Sequence, residues 1–205
     1  MNITGIILAG GKNTRIGVNK ALLKIGDKTI IENIISRISP LFVGTLPARG
    51  QEILLITNYP DEFNFLKRSS LQLFPDVIPG ANSMGGIYSG LIHSRTHYNF
   101  LFACDMPFVN TELVSYMIKE TKDYDIVIPE GKSGYEPLHA IYSKNCIEPF
   151  KELITKGDLK ITNVFGYVKV KIIPQHEVNR FDPKGLSFFN VNTKADYNES
   201  LSMSK

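Results

Sequence analysis

The run Leu8-Ala9-Gly10-Gly11-Lys12-Asn13-Thr14-Arg15-Ile16-Gly17-Val18-Asn19-Lys20 brings together three glycines and three basic residues. Glycine lets backbone N–H groups come close to phosphate oxygens, and the cations neutralise the charge of a triphosphate. The run is neither the Walker A pattern GxxxxGK[ST] nor the dinucleotide fingerprint GxGxxG, and it reads either as a phosphate cradle of another kind or as a flexible surface loop. Within it, Arg15 offers a planar fork to phosphate. Lys20 offers a point charge for the β- or γ-phosphate or for departing pyrophosphate. Downstream, Asp105 follows the apolar run Asn99 to Ala103, a place where a carboxylate can hold Mg²⁺ against phosphates. His93, His97, His139 and His176 show no HxH or HExxH spacing and receive no catalytic role. No Gly-x-Ser-x-Gly elbow occurs, so positioning and electrostatics must carry the chemistry without a covalent intermediate.

These groups need a scaffold, and the hydrophobic pattern supplies one. Asn2 to Ala9 is a short β-branched and apolar run that stops at Gly10-Gly11, as a buried strand does. Ile30, Ile31, Ile34, Ile35 and Ile38 repeat at helical spacing, and Pro40 is expected to end that helix. The alternation continues with strands at Glu52 to Thr57 and Leu71 to Phe74, and helices near Asp61 to Arg68 and from Gly86 to Ser94. Next come a strand at Asn99 to Ala103, an N-cap at Asn110 with a helix over Thr111 to Glu120, and a strand at Asp125 to Pro129. The rest reads as strands at Leu138 to Tyr142, Tyr167 to Ile173 and Phe188 to Val191. A helix lies between the first two at Asn145 to Thr155, and a last helix is capped at Thr193, with Asp196 at the capping-box position.

Strands alternating with helices imply right-handed crossovers and an α/β three-layer sandwich, a mostly parallel twisted sheet with helices on both faces. In such sheets ligands bind beyond the carboxyl ends of the strands. Gly10-Gly11, Asn58, Asp76 and Asp105 all fall just after predicted strands and are expected to line one crevice. At 205 residues, with no repeat or linker, the chain is expected to form a single domain over residues 1–205. A stretch at Gly44 to Gly50 reads as a mobile surface loop.

Composition narrows the classes. An apolar share of 43% and a charged share of 21% exclude a disordered or fibrous chain. The formal charge of +3 is dispersed, without the Lys/Arg block a nucleic-acid footprint needs. No segment approaches the roughly 20 apolar residues of a membrane span. Cys104 and Cys146 have no CxxC spacing, which argues against a zinc site or disulfide framework. A cytoplasmic protein acting on a small anionic substrate is the expectation.

LAGGKNTRIGVNK resembles the signature LAGGxSxRMGxxK of nucleotidyltransferases with a glycosyltransferase-A-like fold, the nucleotide-diphospho-sugar transferase type. Within that superfamily the chain looks most like the molybdenum cofactor guanylyltransferases. Phe74-Pro75-Asp76 with Met84-Gly85-Gly86-Ile87, the segment Ala103-Cys104-Asp105-Met106-Pro107-Phe108, Pro137-Leu138-His139-Ala140-Ile141-Tyr142, and Phe188-Phe189-Asn190-Val191-Asn192-Thr193 match that family in order. Ile16 stands where Met is usual, Asn19 where Asp is frequent, and Asn82-Ser83 where Gly-Pro is usual.

The resemblance implies transfer of GMP from GTP to the terminal phosphate of molybdopterin, releasing pyrophosphate, with Mg²⁺ as cofactor. It implies nucleotide contacts from Leu8, Ala9, Gly10, Gly11, Lys20, Asn58, Asp76 and Asp105, catalytic roles for Arg15, Lys20 and Asp105, and a metal contact at Asp105. Asp76 can accept from guanine N1–H and the exocyclic amine, and Asn58 can read base or ribose, although both also suit ordinary turns. Asn190 and Asn192 alternate in the predicted strand and so share a face toward the molybdopterin side. A pair that satisfies sheet-edge groups is the competing reading. Cofactor-synthesis proteins or acceptor molybdoenzymes are the implied protein contacts. A related cytidylyltransferase or sugar-phosphate nucleotidyltransferase, and a catalytically silent nucleotide-binding relative, are the alternatives.

Overall fold

The computed structural model describes residues 2–10, 19–42, 52–66 and 71–203. Its centre is β1 (Ile3–Leu8), whose apolar residues are buried on both faces because parallel strands flank it and helices cover it. β6 (Tyr98–Ala103) pairs with one side and β4 (Ile53–Ile56) with the other, and β5 (Leu71–Phe74) extends the sheet beyond β4, all in parallel. Across β6 the sheet continues through β9 (His139–Ser143), β7 (Ile126–Gly131) and β10 (Val170–Ile173). The short β8 (Gly134–Tyr135) pairs with β7. β8 and β9 run against the remaining strands, so the sheet is mixed and mostly parallel. A small hairpin of β2 (Lys24–Ile25) and β3 (Lys28–Thr29) stands apart.

Strand periodicity sorts the core into two faces. Ile7, Leu55, Phe100 and Phe102 pack with α1 (Ile30–Phe42) and α3 (Thr111–Lys119). Ile6, Leu54, Leu101 and Tyr142 pack with α2 (Asn82–His93) and α4 (Ile147–Thr155). The second interface is tight. A Cβ added at Gly90 of α2 would lie 2.8 Å from Ile6 Cγ2, so only glycine lets α2 approach β1 this closely. Two short helices close the chain, α5 (Gln175–Val178) and α6 (Lys194–Met203).

Several expected elements differ. α1 continues through Pro40 to Phe42 instead of stopping before it. Pro40 lies in the last turn, the carbonyl it leaves without an amide belongs to the exposed Ser36, and fully buried Phe42 rewards the extra turn. The helix expected from Asp61 is a 3₁₀ helix, Pro60–Leu66. α2 starts a turn earlier than Gly86, at Asn82, whose φ of 51° is left-handed. Glycine is the residue that adopts this conformation freely and asparagine the next best, so Asn82 suits the position.

The strand expected at Phe188 to Val191 is not formed. A 3₁₀ turn, Leu186–Phe188, precedes an extended segment with a backbone bond to the sheet region, from Val191 N–H to Asp105 O at 2.9 Å. One such bond is not a ladder, and the face-sharing argument for Asn190 and Asn192 falls with it.

Candidate active site

The loops after β1, β4, β5 and β6 meet at one end of the sheet. They enclose a crevice of about 810 Å³ lined by Gly10, Asn58, Asp76 and Asp105 together with Asn82 and Ser83 from the start of α2. The parallel register dictates this convergence, since strands that start together end together and their following residues face the same opening. Gly11 and Arg15 lie outside the described residues.

The other residues of the glycine-rich strand exit have separate positions. Leu8 lines the crevice with its side chain and accepts from Cys104 N–H at 3.2 Å. Ala9 is buried, its N–H donates to Ile56 O at 2.8 Å and its carbonyl accepts from Thr57 Oγ1 at 3.2 Å. With its amide engaged in this way, Ala9 fixes the strand exit and has no N–H to offer a phosphate.

Asn58 and Asp76 form one unit. Asn58 Oδ1 accepts from Asp76 N–H at 3.2 Å, tying the β4 and β5 loops together. Asp76 Oδ1 accepts from Ile78 N–H at 3.0 Å and lies 2.7 Å from Ser89 Oγ, which itself accepts from Val77 N–H at 2.9 Å. These bonds make Asp76 the organiser of its own turn. The single Ser89 hydroxyl proton is shared between Asp76 Oδ1 and Gly85 O, each at 2.7 Å, so Asp76 serves its own turn while it also lines the crevice. Sequence reasoning passed over Ser89, and the spacing Asp76 to Ser89 across a loop carries no local signal.

Asp105 and Lys20 form the charged centre. Lys20 opens a 3₁₀ turn, Lys20–Leu22, that Asn19 caps by accepting from Ala21 N–H at 3.1 Å. Its Nζ donates to Asn192 Oδ1 at 2.7 Å. Burial raises the Asp105 carboxyl pKa above its ordinary value, while Lys20 and a backbone hydrogen bond pull it partway back. The neighbouring Cys104 thiol is pushed up to about 12, first by burial and then by the Asp105 charge, so it stays protonated and unreactive. Among the described residues, no three His, Cys, Asp or Glu side chains gather into a metal cage. A lone, half-buried carboxylate with a raised pKa nevertheless suits Mg²⁺, which takes one or two protein carboxylates and fills its remaining positions with phosphate oxygens and water.

The chain's last segment closes the other side. Asn190 Nδ2 donates to Phe188 O at 3.0 Å, which spends that amide on its own turn. Thr193 and Asp196 form the expected capping box at α6: Asp196 N–H donates to Thr193 Oγ1 at 3.2 Å, and Asp196 Oδ2 accepts from Thr193 N–H at 2.7 Å and Asn192 N–H at 2.8 Å. Near Phe188, His139 is fully buried with neither ring nitrogen hydrogen-bonded, and the rings of Phe100, Phe102 and Phe188 lie nearly perpendicular to it. Burial lowers its pKa to about 4. It has no acid–base role near neutral pH. No helix among the described residues is long and apolar enough to cross a membrane.

A doubly covered α/β sheet with a carboxyl-end crevice is the arrangement in which folds of this class bind small ligands, here beside the Asp105 carboxylate. Residues 5–170 match the model of the MobA-like NTP transferase domain. A protein named "Probable molybdenum cofactor guanylyltransferase" from Natranaerobius thermophilus is 34% identical over 203 residues, 97% of this chain and 95% of that one. The molybdenum cofactor guanylyltransferase of Desulfosudis oleivorans is 32% identical, covering 95% of this chain and 92% of its own. The crystal structure of molybdopterin-guanine dinucleotide biosynthesis protein A from Archaeoglobus fulgidus superposes with a TM-score of 0.80 at 25% identity, covering 98% of this chain and 97% of that one. The chain belongs to the MobA-like NTP transferase family.

Proposed function

We propose that this protein transfers GMP from GTP to the terminal phosphate of molybdopterin, releasing pyrophosphate and forming the guanine dinucleotide cofactor. The observation that carries the reading is the crevice at the carboxyl ends of the parallel strands, lined by Gly10, Asn58, Asp76 and Asp105, with the Lys20 charge acting on the Asp105 carboxyl. Full-length similarity to molybdenum cofactor guanylyltransferases supports the choice of substrates.

The chemistry balances without a protein nucleophile. A phosphate oxygen of the acceptor attacks the α-phosphorus of GTP, the bond to the bridging oxygen breaks, and that oxygen leaves on pyrophosphate. A phosphate monoester has its second pKa near 6 and is mostly dianionic at pH 7, so no strong base is required. The backbone at Gly10, with Gly11 and Arg15, binds and orients the triphosphate. Lys20 counters the negative charge that grows on the departing pyrophosphate. Asp105 would hold Mg²⁺, which when bound neutralises phosphate charge and sharpens the electrophile. Leu8 supplies an apolar wall, Asn58 and Asp76 set the wall facing the base, and Asn190 and Asn192 lie on the acceptor side. Much of the rate gain then comes from alignment of two bound substrates.

The test is a nucleotide panel. Purified protein with Mg²⁺ and molybdopterin is given GTP, CTP, ATP or UTP, and pyrophosphate is followed. Release with GTP alone is expected, and preference for CTP overturns the base assignment. No release with any nucleotide, where a control guanylyltransferase is active, points to the silent relative.

A further inference from the structure

The hydrogen bond between Lys20 and Asn192 joins a residue of the nucleotide side to one of the acceptor side across 172 positions of sequence. Each partner is held differently. Asn192 is pinned on both flanks: Val191 N–H donates to Asp105 O at 2.9 Å, and the N–H groups of Asn192 and Thr193 donate to Asp196 Oδ2. Its side chain is short, so its amide oxygen has a small reach compared with the Lys20 ammonium. Lys20 carries its charge on a flexible four-carbon stem and can swing. The Lys20 charge lowers the pKa of both Asp105 and Asp196, so its ammonium lies near both carboxylates.

We propose that Asn192, seated by Asp196, parks Lys20 in the ligand-free enzyme and releases it to the nucleotide's phosphates, freeing the Asn192 amide oxygen for the acceptor. This rests on the reading of Lys20 as a phosphate ligand. Asp196 acts through Asn192 and is a positioning residue. A neutral amide oxygen is a weaker partner for an ammonium than a phosphate oxygen, where donor and acceptor are both charged, so the exchange runs toward the nucleotide. The consequence is positive coupling between the two substrates. By thermodynamic reciprocity, each substrate then tightens the binding of the other.

The alternative is a fixed strut, in which Asn192 merely holds Lys20 in its working position. The two differ in sign. Binding of α,β-methylene-GTP with Mg²⁺, without acceptor, is measured by calorimetry for the parent protein and for Asn192→Ala, Lys20→Ala and the double variant. Parking predicts that Asn192→Ala binds the nucleotide three- to tenfold more tightly, because one competing hydrogen bond to a charged group is gone. In the Lys20→Ala background the same substitution should change nothing. Nucleotide affinity that is unchanged or weaker in Asn192→Ala overturns the proposal, as does an equal gain without Lys20. The capping bonds use only the backbone of Asn192, so they survive its truncation. Asn192→Ser, too short to reach Lys20, is run beside it with the same expectation. If the parent protein fails to bind the guanine nucleotide at all, it is the guanylyl-transfer reading that falls.

Discussion

Replacing His139 by leucine should flatten the acid limb of the protein's stability curve. The imidazole pKa falls from 6.5 to about 4 on folding because burial disfavours the charged form. Between those pH values the unfolded chain binds a proton that the folded chain refuses, so stability is lost as pH drops from about 6.5 to about 4. At roughly 1.4 kcal/mol per pH unit the full interval is worth about 3 kcal/mol. Glu136 opposes this. Its carboxyl is raised from 4.5 to about 7 by burial, so the folded state prefers it protonated, and stability is lost as pH rises through that window. Its effect is smaller than the interval suggests, because the side chain is half-exposed and solvent screens it.

The assay is denaturant unfolding followed by far-UV circular dichroism at steps from pH 4 to 7.5. His139→Leu should lose about 3 kcal/mol less than the parent between the extremes. At pH 7.5 it should be at least as stable, since both buried ring nitrogens lack partners. Glu136→Gln should steepen the parent's acid-side loss. Parallel curves for parent and His139→Leu, within about 0.5 kcal/mol, refute the reasoning, and a gain of slope on removing the histidine reverses its sign.

Further outcomes follow from other positions. Gly90→Ala should cost about 1–3 kcal/mol in thermal or denaturant melts, because the new methyl meets the branched, buried Ile6 side chain at 2.8 Å. A neutral result would mean that α2 slides freely on β1. Asn82→Gly should raise stability by up to about 1 kcal/mol and Asn82→Val lower it, since φ there is 51°. Asp105→Asn, which keeps the shape and removes the charge, should cut pyrophosphate release by at least about 100-fold while the melting temperature holds or rises. Near-parental turnover would sink the metal assignment.

The scaffold was legible because buried strands and amphipathic helices leave different periods in sequence, and the carboxyl-end rule then gathered Gly10, Asn58, Asp76 and Asp105 into one crevice. Direction was not legible for β9. A strand buried on both faces reads the same whether its neighbours run with it or against it, and His139 to Ser143 is buried throughout. The segment from Phe188 has a strand's alternation, but Asn190 bonds its own turn and Val191 reaches Asp105 instead of a ladder partner. Local pattern cannot weigh such bonds. The capping box at Thr193 and Asp196 was readable because its partners are three residues apart. Asp76 with Ser89, and Lys20 with Asn192, were not, because only the folded chain brings them together.

The central claim is that a GMP unit moves intact from GTP to molybdopterin. Two parallel reactions with Mg²⁺ and molybdopterin, one with GTP labelled at the α-phosphate and one at the γ-phosphate, test it most directly. The account predicts the α-label in the dinucleotide product and the γ-label in pyrophosphate and not in the dinucleotide, with both signals cut at least about 100-fold in Asp105→Asn. Appearance of the γ-label in the acceptor product, or α-label remaining in free nucleotide, would contradict it.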